Sequence, residues 1–514
     1  MTAPNRARAL IEPRRAGERW AAWMLAVAAI LLIATRAPHL AGPIDDPHSW
    51  RQCDTANYAW AFFHDGASLL RPAVCWMGGY RTLILEFPLP EYLMALAYRV
   101  FGYDFLWARL VTLFFFAGSA LYLYLLIREL WNEALAATAT LIYVTLPLAL
   151  FYSRALHIDF TAIFFAHAMA YHLIAGDRRH AGPHLVAGAV AAGLAAVIKS
   201  PYALALGIPV AAYFVAGRDP RRMIRFAAVM ILPVALGIAW QRHADAVNAS
   251  APDWSFIPGY FKFTGLSRWY FGSLALRFDP TAWRDLGVRL IVEVLTRSGA
   301  VLAAAGFALF IVRRKAHDPR AAAFLQGWIA AAAVHLALFF NLNLEHDYYQ
   351  IPFLAPAALL MAIAILAVRH ATRPGPAWVR GVIAALLVAT VAIESIAYAE
   401  RNDYRPDPIR EGAGAIIASH TSEKSLVVVS EPATDCRDPR ILFRARRDGW
   451  SIGAADLSAA LVRALAARGA TDLALVAPAG FANGPPPWLD PRRIEVFPIG
   501  DLGWQVMMVR LAPR

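Results

Sequence analysis

Charge is scarce in this 514-residue chain: Asp, Glu, Lys and Arg make up 17% of it, against about 25% in an ordinary soluble domain. A soluble globular class is therefore disfavoured. The charge that exists is unbalanced, with a formal net of +12, yet the arginines fall in short clusters between apolar runs. No separate basic surface is left over, so no nucleic-acid partner is expected. Cysteine is rarer still. Cys53, Cys75 and Cys436 have no zinc-site spacing; a Cys53–Cys75 bridge and two unpaired small side chains are both open. No repeat or low-complexity tract points to a solenoid. The first apolar segment lacks a clear small-residue cleavage site and reads as a retained helix.

What is there is apolar: 59% hydrophobic residues and a mean hydropathy of +0.46. Windows of about 20 apolar residues fall near 20–41, 106–127, 133–152, 160–175, 184–199, 201–216, 223–241, 290–312, 321–340, 350–368 and 378–398. The expected fold is a polytopic α-helical membrane protein of about eleven transmembrane helices. The basic clusters at Arg6 to Arg19, Arg128, Arg178–Arg179, Arg218 to Arg225, Arg313 to Arg320 and Arg369 to Arg380 then share one side. By the positive-inside rule that side is cytoplasmic. The amino-terminal segment 1–19 is expected inside, and loops 42–105 and 242–289 with everything after residue 400 outside. The corner Lys199-Ser200-Pro201 is the tightest of these turns; losing a span there would invert everything downstream.

After residue 400 the pattern changes. Strand-like runs at Ser425 to Ser430, Asp472 to Ala477 and Trp504 to Leu511 flank Ala454 to Arg468. There Leu457, Leu461 and Leu465 make an amphipathic stripe. A small extracytoplasmic α/β domain, 401–514, is expected beside a membrane catalytic domain, 20–400. Pro485, Pro486 and Pro487 mark a loop within it.

The first outer loop is far longer than the roughly 2 to 8 residues of an ordinary connection. Its first half holds Asp54-Thr-Ala-Asn-Tyr58, with apolar residues at helical intervals from Asp54 onward, so Asp54 is expected at a helix start. Its second half holds Glu86-Phe-Pro-Leu-Pro-Glu-Tyr92. An acid between an apolar triplet and two prolines implies a cavity at the outer surface. Further along, Ser153-Arg154-Ala-Leu-His157-Ile-Asp159, then Lys199, then Glu345-His346-Asp347-Tyr348-Tyr349-Gln-Ile-Pro352 occupy other outer turns.

Taken in order, these motifs resemble the membrane glycosyltransferases of the protein mannosyltransferase and lipid A aminoarabinose transferase type, GT-C enzymes of the glycosyltransferase family 39 kind. The resemblance covers roughly residues 20 to 400. It implies a GT-C-like fold and transfer of a sugar from a polyprenyl phosphate to an acceptor at the outer face. By position, Asp54 matches the loop acid regarded as the catalytic base and Asp159 the second-loop acid. Lys199, with Arg154, Tyr348 and Tyr349, matches the region that meets the donor phosphate. Glu86 matches an acid that helps hold a divalent metal. Thr55, where many relatives carry a second acid, and Phe87, where the aminoarabinose enzymes often carry Lys, weaken the transfer of metal binding and of that sugar.

The chemistry supports the same reading. Nucleotide sugars are not generally available outside the cytoplasm, so a donor carried in the bilayer solves supply. Its phosphate leaving group needs positive charge more than a general acid, and Lys199 or Arg154 would supply it. A hydroxyl acceptor needs a base, for which Asp54 is the first catalytic candidate and Asp159 the second; direct displacement inverts the anomeric carbon. A zinc, manganese or magnesium ion is open to Glu86 with an outer histidine such as His346, although no tight ligand motif exists. The expected partners are the polyprenyl-phosphate sugar, an envelope acceptor (lipid A, glycan or protein) and the bilayer of the inner membrane. The alternative is a transporter or flippase for a lipid-linked sugar, but the acids cluster in outer loops while the spans are almost free of charge.

Overall fold

The apolar windows of the sequence become helices, and proline and polar corners decide where they break. The computed structural model describes residues 14–255, 267–372, 376–432, 434, 436–480 and 486–511. Arg6, Arg8, Arg373, Pro485 and part of the expected 242–289 loop lie outside the described residues. Seven described helices are long and apolar enough to cross a membrane: Gly17–His39, Phe105–Leu130, Gly182–Ala216, Pro220–Asn248, Pro319–Leu338, Asp347–Ala371 and Ala377–Asn402. The chain is a multi-pass membrane protein.

The difference from eleven has four sources. Window 133–152 is two short helices, Glu133–Thr145 and Pro147–Tyr152. Window 160–175 lies in Asp159–Arg179, whose charged ends dilute its hydropathy. Window 290–312 belongs to a pair, Pro280–Val294 and Arg297–Val312, bent by 100°.

The fourth is the Lys199 corner, where windows 184–199 and 201–216 share one helical run, Gly182–Ala216. Lys199 has non-helical dihedrals there (φ −157°, ψ 88°), and the chain reverses. His172 meets His184 at 2.8 Å. Lys199 reaches Asp159 at 2.7 Å, and the Tyr213 hydroxyl reaches Asp177 at 3.3 Å. Asp159 and Asp177 are about 27 Å apart along a straight helix, so residues 182–198 run back along it and 202–216 return. Two antiparallel arms result, as the windows imply.

The chain divides into two compact units: 1–42 with 109–241 and 267–404, and 43–108 with 242–266 and 405–514. In the first, Gly306 on Arg297–Val312 lies so close to the facing helix that a Cβ would sit 1.8 Å from the Leu360 carbonyl oxygen; any side chain there pushes the helices apart. Arg36 secures the break in 133–152. Leu146 leaves helical geometry ahead of Pro147 (ψ 150°), and the carbonyls around such a break need outside donors. The fully buried Arg36 donates to the Val144 carbonyl at 2.8 Å, the Ala149 carbonyl at 2.9 Å and Ser153 Oγ at 2.9 Å. Arg36→Met removes all three charge-assisted bonds, although the Ala149 carbonyl keeps a bond from Ser153 N–H (3.3 Å), and a loss of about 3 kcal/mol is expected; thermal unfolding in detergent measures it, and an unchanged midpoint would dismiss the role.

The second unit joins the tail to the long loop that follows the first span. Strand β1 (Asp45–Asp46) pairs with β2 (Arg405–Pro406). The tail's sheet is ordered β4 (Asp448–Gly453), β3 (Leu426–Glu431), β5 (Ala470–Pro478), β7 (Trp504–Arg510), β6 (Ile494–Pro498). β3 is parallel to β4 and β5, while β7 is antiparallel to β5 and β6. The run Val427-Val428-Val429 is fully covered, as a parallel strand flanked on both sides must be. The expected stripe helix is Ala459–Ala466, and its Val462 and Leu465 pack into the sheet's core with Trp450 and Leu473. The loop docks on this body through Gly449 N–H to the Cys75 carbonyl (2.8 Å) and Arg81 to Asp448 (3.1 Å). Gly78, at φ +59°, lies flat against Trp450, and a Cβ there would fall 2.2 Å from the indole. The division of the sequence at residue 401 thus separates pieces that share one unit.

Candidate functional site

Two acid centres stand out, one in each unit. In the loop unit, Ser49–Trp60 is a helix opened by Ser49 N–H donating to Asp46 Oδ1 at 2.9 Å. Asp54 is therefore in the helix interior, not at its start. The capping explanation fails, because the orphan donors that a cap satisfies belong to the first turn. Asp54 is 4% exposed and accepts a hydrogen bond from Trp76 Nε1 at 2.9 Å. Burial pushes its carboxyl up to about 7; Arg51 and the Trp76 bond pull it down, and Glu86 and Asp438 raise it. A carboxylate poised near neutrality suits proton abstraction. Trp76→Phe removes a donor to the charged form, so the Asp54 pKa should rise further and any activity that needs its carboxylate should shift to higher pH. The pH profile of the variant checks this.

Glu86 is half-buried and bound by Arg51 Nη2 at 2.5 Å. Near it lies Glu91, in the first turn of Leu89–Phe101, 2% exposed, with one oxygen lacking a hydrogen-bond partner. Burial lifts its carboxyl to about 8, against the pull of Arg51. Glu91 stood inside the quoted motif but nothing in its spacing marked it; only its depth does. Trp76 and the tail's Asp438 lie outside that motif, and only their proximity to Asp54 marks them. Cys53 and Cys75 are buried and form no disulfide. Burial raises both thiols, Cys53 to about 12, and Arg444 donates to Cys53 Sγ at 3.3 Å.

In the membrane unit, Asp159 opens its helix and is fully buried. Its Oδ1 accepts from Lys199 Nζ at 2.7 Å and from the Tyr202 hydroxyl; its Oδ2 meets His157 Nδ1. The Tyr202 hydroxyl also lies 2.6 Å from the Tyr348 carbonyl. Lys199, 6% exposed, points its ammonium at the rings of Tyr202 (4.7 Å), Tyr348 (4.7 Å) and Tyr349 (4.3 Å). Tyrosine faces attract a cation, and most strongly where water is excluded. Asp347, at the start of the 3-10 turn Asp347–Phe353, accepts from the Tyr152 hydroxyl at 2.6 Å. Asp159, Lys199, Tyr348 and Tyr349 thus come together, as their order in the chain suggested.

Arg154 and His346 are placed differently. Arg154 is fully buried, with its guanidinium over the rings of Phe151 (4.8 Å) and Tyr404 (4.5 Å). His346 stacks on Tyr348, ring centroids 4.9 Å apart. Among the described residues, no three His, Cys, Asp or Glu gather closely enough to hold a metal ion, and the Glu86 carboxylate is engaged by Arg51. These residues do not fit the expected divalent ion.

Comparisons with known proteins bear on the fold. The family model for dolichyl-phosphate-mannose-protein mannosyltransferase matches residues 86–240. The structure of ArnT from Cupriavidus metallidurans bound to undecaprenyl phosphate superposes with a TM-score of 0.62 at 15% identity, covering 96% of this chain and 99% of that one. The Archaeoglobus fulgidus oligosaccharyltransferase in complex with Zn and sulfate gives 0.60 at 14%, covering 88% and 67%. AglB from the same organism, with an inhibitory peptide and a dolichol-phosphate, gives 0.59 at 14%, covering 89% and 69%. No curated protein sequence matches the chain. At such identities the likeness is one of fold alone.

Proposed function

From the GT-C fold as premise, we propose that this chain is an inverting glycosyltransferase that moves a sugar from a polyprenyl phosphate to an envelope acceptor at the outer face of the inner membrane. The observation that carries the reading is Asp54: a buried carboxylate, held by Trp76 in a helix interior, with its pKa at about 7. The reaction forms a bond from the acceptor oxygen to the anomeric carbon as the bond from that carbon to the phosphate oxygen breaks. The acceptor proton passes to Asp54, and the electron pair leaves with polyprenyl phosphate. Attack opposite the leaving group inverts the centre. Lys199, fixed between Asp159 and two tyrosine faces, supplies positive charge for the departing phosphate.

The matching family model and the lipid phosphates in two fold relatives support a lipid-borne donor. Bilayer delivery also explains how a sugar donor reaches a compartment without nucleotide sugars. The test is proteoliposomes loaded with candidate polyprenyl-phosphate sugars and envelope acceptors. The expected products are free polyprenyl phosphate and an acceptor heavier by one sugar. Movement of intact lipid-linked sugar across the bilayer, with no cleavage, would make the chain a flippase instead.

A further inference from the structure

At the other ends of the membrane helices lies a cavity that the transfer reaction does not use. Its volume is about 620 Å³, within the roughly 300 to 1,000 Å³ of small-molecule sites. Four separate chain segments build it: Gly17 and Glu18 at the start of the first span, Arg128 to Leu135 at the Phe105–Leu130 terminus, Leu309 to His317, and Ile363 to His370. Arg128, Arg313 and Arg369 converge there with His317 and His370; Glu18 and Glu133 are the acids in the wall. Leu135, Leu309, Ile363 and Leu366 make the remainder apolar.

The positive-inside rule accounts for arginine at these helix ends. It does not account for three arginines from three different ends meeting in one pocket beside an apolar wall. A guanidinium is charged at any physiological pH, and its planar fork fits phosphate oxygens two at a time. The Arg369 guanidinium is already oriented, stacked 4.5 Å from the Trp20 ring. An apolar half with a cationic rim at the end of a span is the composition expected around a lipid phosphate.

We propose that this cavity is a second binding site, specific for a phosphate carried on an apolar glycerolipid or on a soluble compound, at the face of the membrane away from the transfer site. Arg128, Arg313 and Arg369 grip the phosphate, and the leucine and isoleucine wall takes the hydrocarbon when there is one. Native mass spectrometry of the full chain tests it, with a mixture of short-chain phosphatidylglycerol and diacylglycerol of the same acyl length. Preferential retention of the phospholipid is expected, lost by roughly a hundredfold in the Arg128→Ala/Arg313→Ala/Arg369→Ala variant, about fivefold for each cation removed. Displacement of that lipid by millimolar inorganic phosphate, or phosphate adducts without lipid, would assign the site to a soluble phosphate and keep the chemistry. Should the triple variant fail to fold, the wild-type competition decides alone. Equal retention of phosphatidylglycerol and diacylglycerol, with no effect of inorganic phosphate, overturns the proposal.

Discussion

Asp54→Asn lowers turnover for sugar transfer by about a thousandfold, near the middle of the 10²–10⁴ range for general-base catalysis, while donor binding changes little. The amide fills the same space in the Ser49–Trp60 helix but accepts no proton. Wild-type activity should rise with pH through about 7, because the base works only when ionised and burial holds it protonated below that point. The variant's residual activity should lack this step. Stability moves oppositely. The folded-state pKa lies above the ordinary value of 3.8, so the folded protein binds the proton more tightly than the unfolded chain does. Wild-type stability is lost as pH climbs from about 4 to about 7 and stays lost above. Asn carries no buried charge, so the variant should exceed the wild type in unfolding midpoint at pH 8 and converge with it near pH 4. A flat pH–rate profile in the wild type, or full transfer by the variant, would remove Asp54 as the base.

Lys199→Met has the second large effect, this time on folding as well as on chemistry. It leaves the fully buried Asp159 with Tyr202 and His157 but without its ammonium partner. Breaking one side of a buried ion pair costs about 3 to 5 kcal/mol. In the double variant Lys199→Met/Asp159→Asn neither charge remains, and most of that stability should return. Sugar transfer should not return, because the ammonium proposed to meet the donor phosphate is still missing. Thermal unfolding of the four proteins gives the coupling energy directly, and transfer rates on the same samples separate the structural role from the chemical one. Additive single effects on stability would show that the pair is not coupled; normal transfer by the double variant would discard Lys199 as the phosphate's partner.

Much of this was present in the order of residues. Composition excludes a soluble class because apolar windows of about 20 residues have one good solution in a bilayer. The reversal at Lys199-Ser200-Pro201 is legible for a local reason: proline removes a donor and the flanking windows are each one span long. The strands β3, β5 and β7 were legible through their β-branched and apolar runs. β4, Asp-Gly-Trp-Ser-Ile-Gly, and β6 were not, since neither alternates cleanly and each depends on a neighbour already in place.

The amino-acid sequence by itself determined that the chain crosses a membrane many times, and which acids, cation and tyrosines are available for chemistry. Those properties rest on hydropathy and on local spacing, which act within one segment. Tertiary structure alone decided each acid's depth and partners. Asp54 moved from a helix cap to a buried position bonded to Trp76, Glu86 went to Arg51, and Glu91 emerged as a buried carboxyl. Desolvation and the choice of a charged partner depend on segments 20 to 400 residues away, and no one-dimensional pattern encodes them.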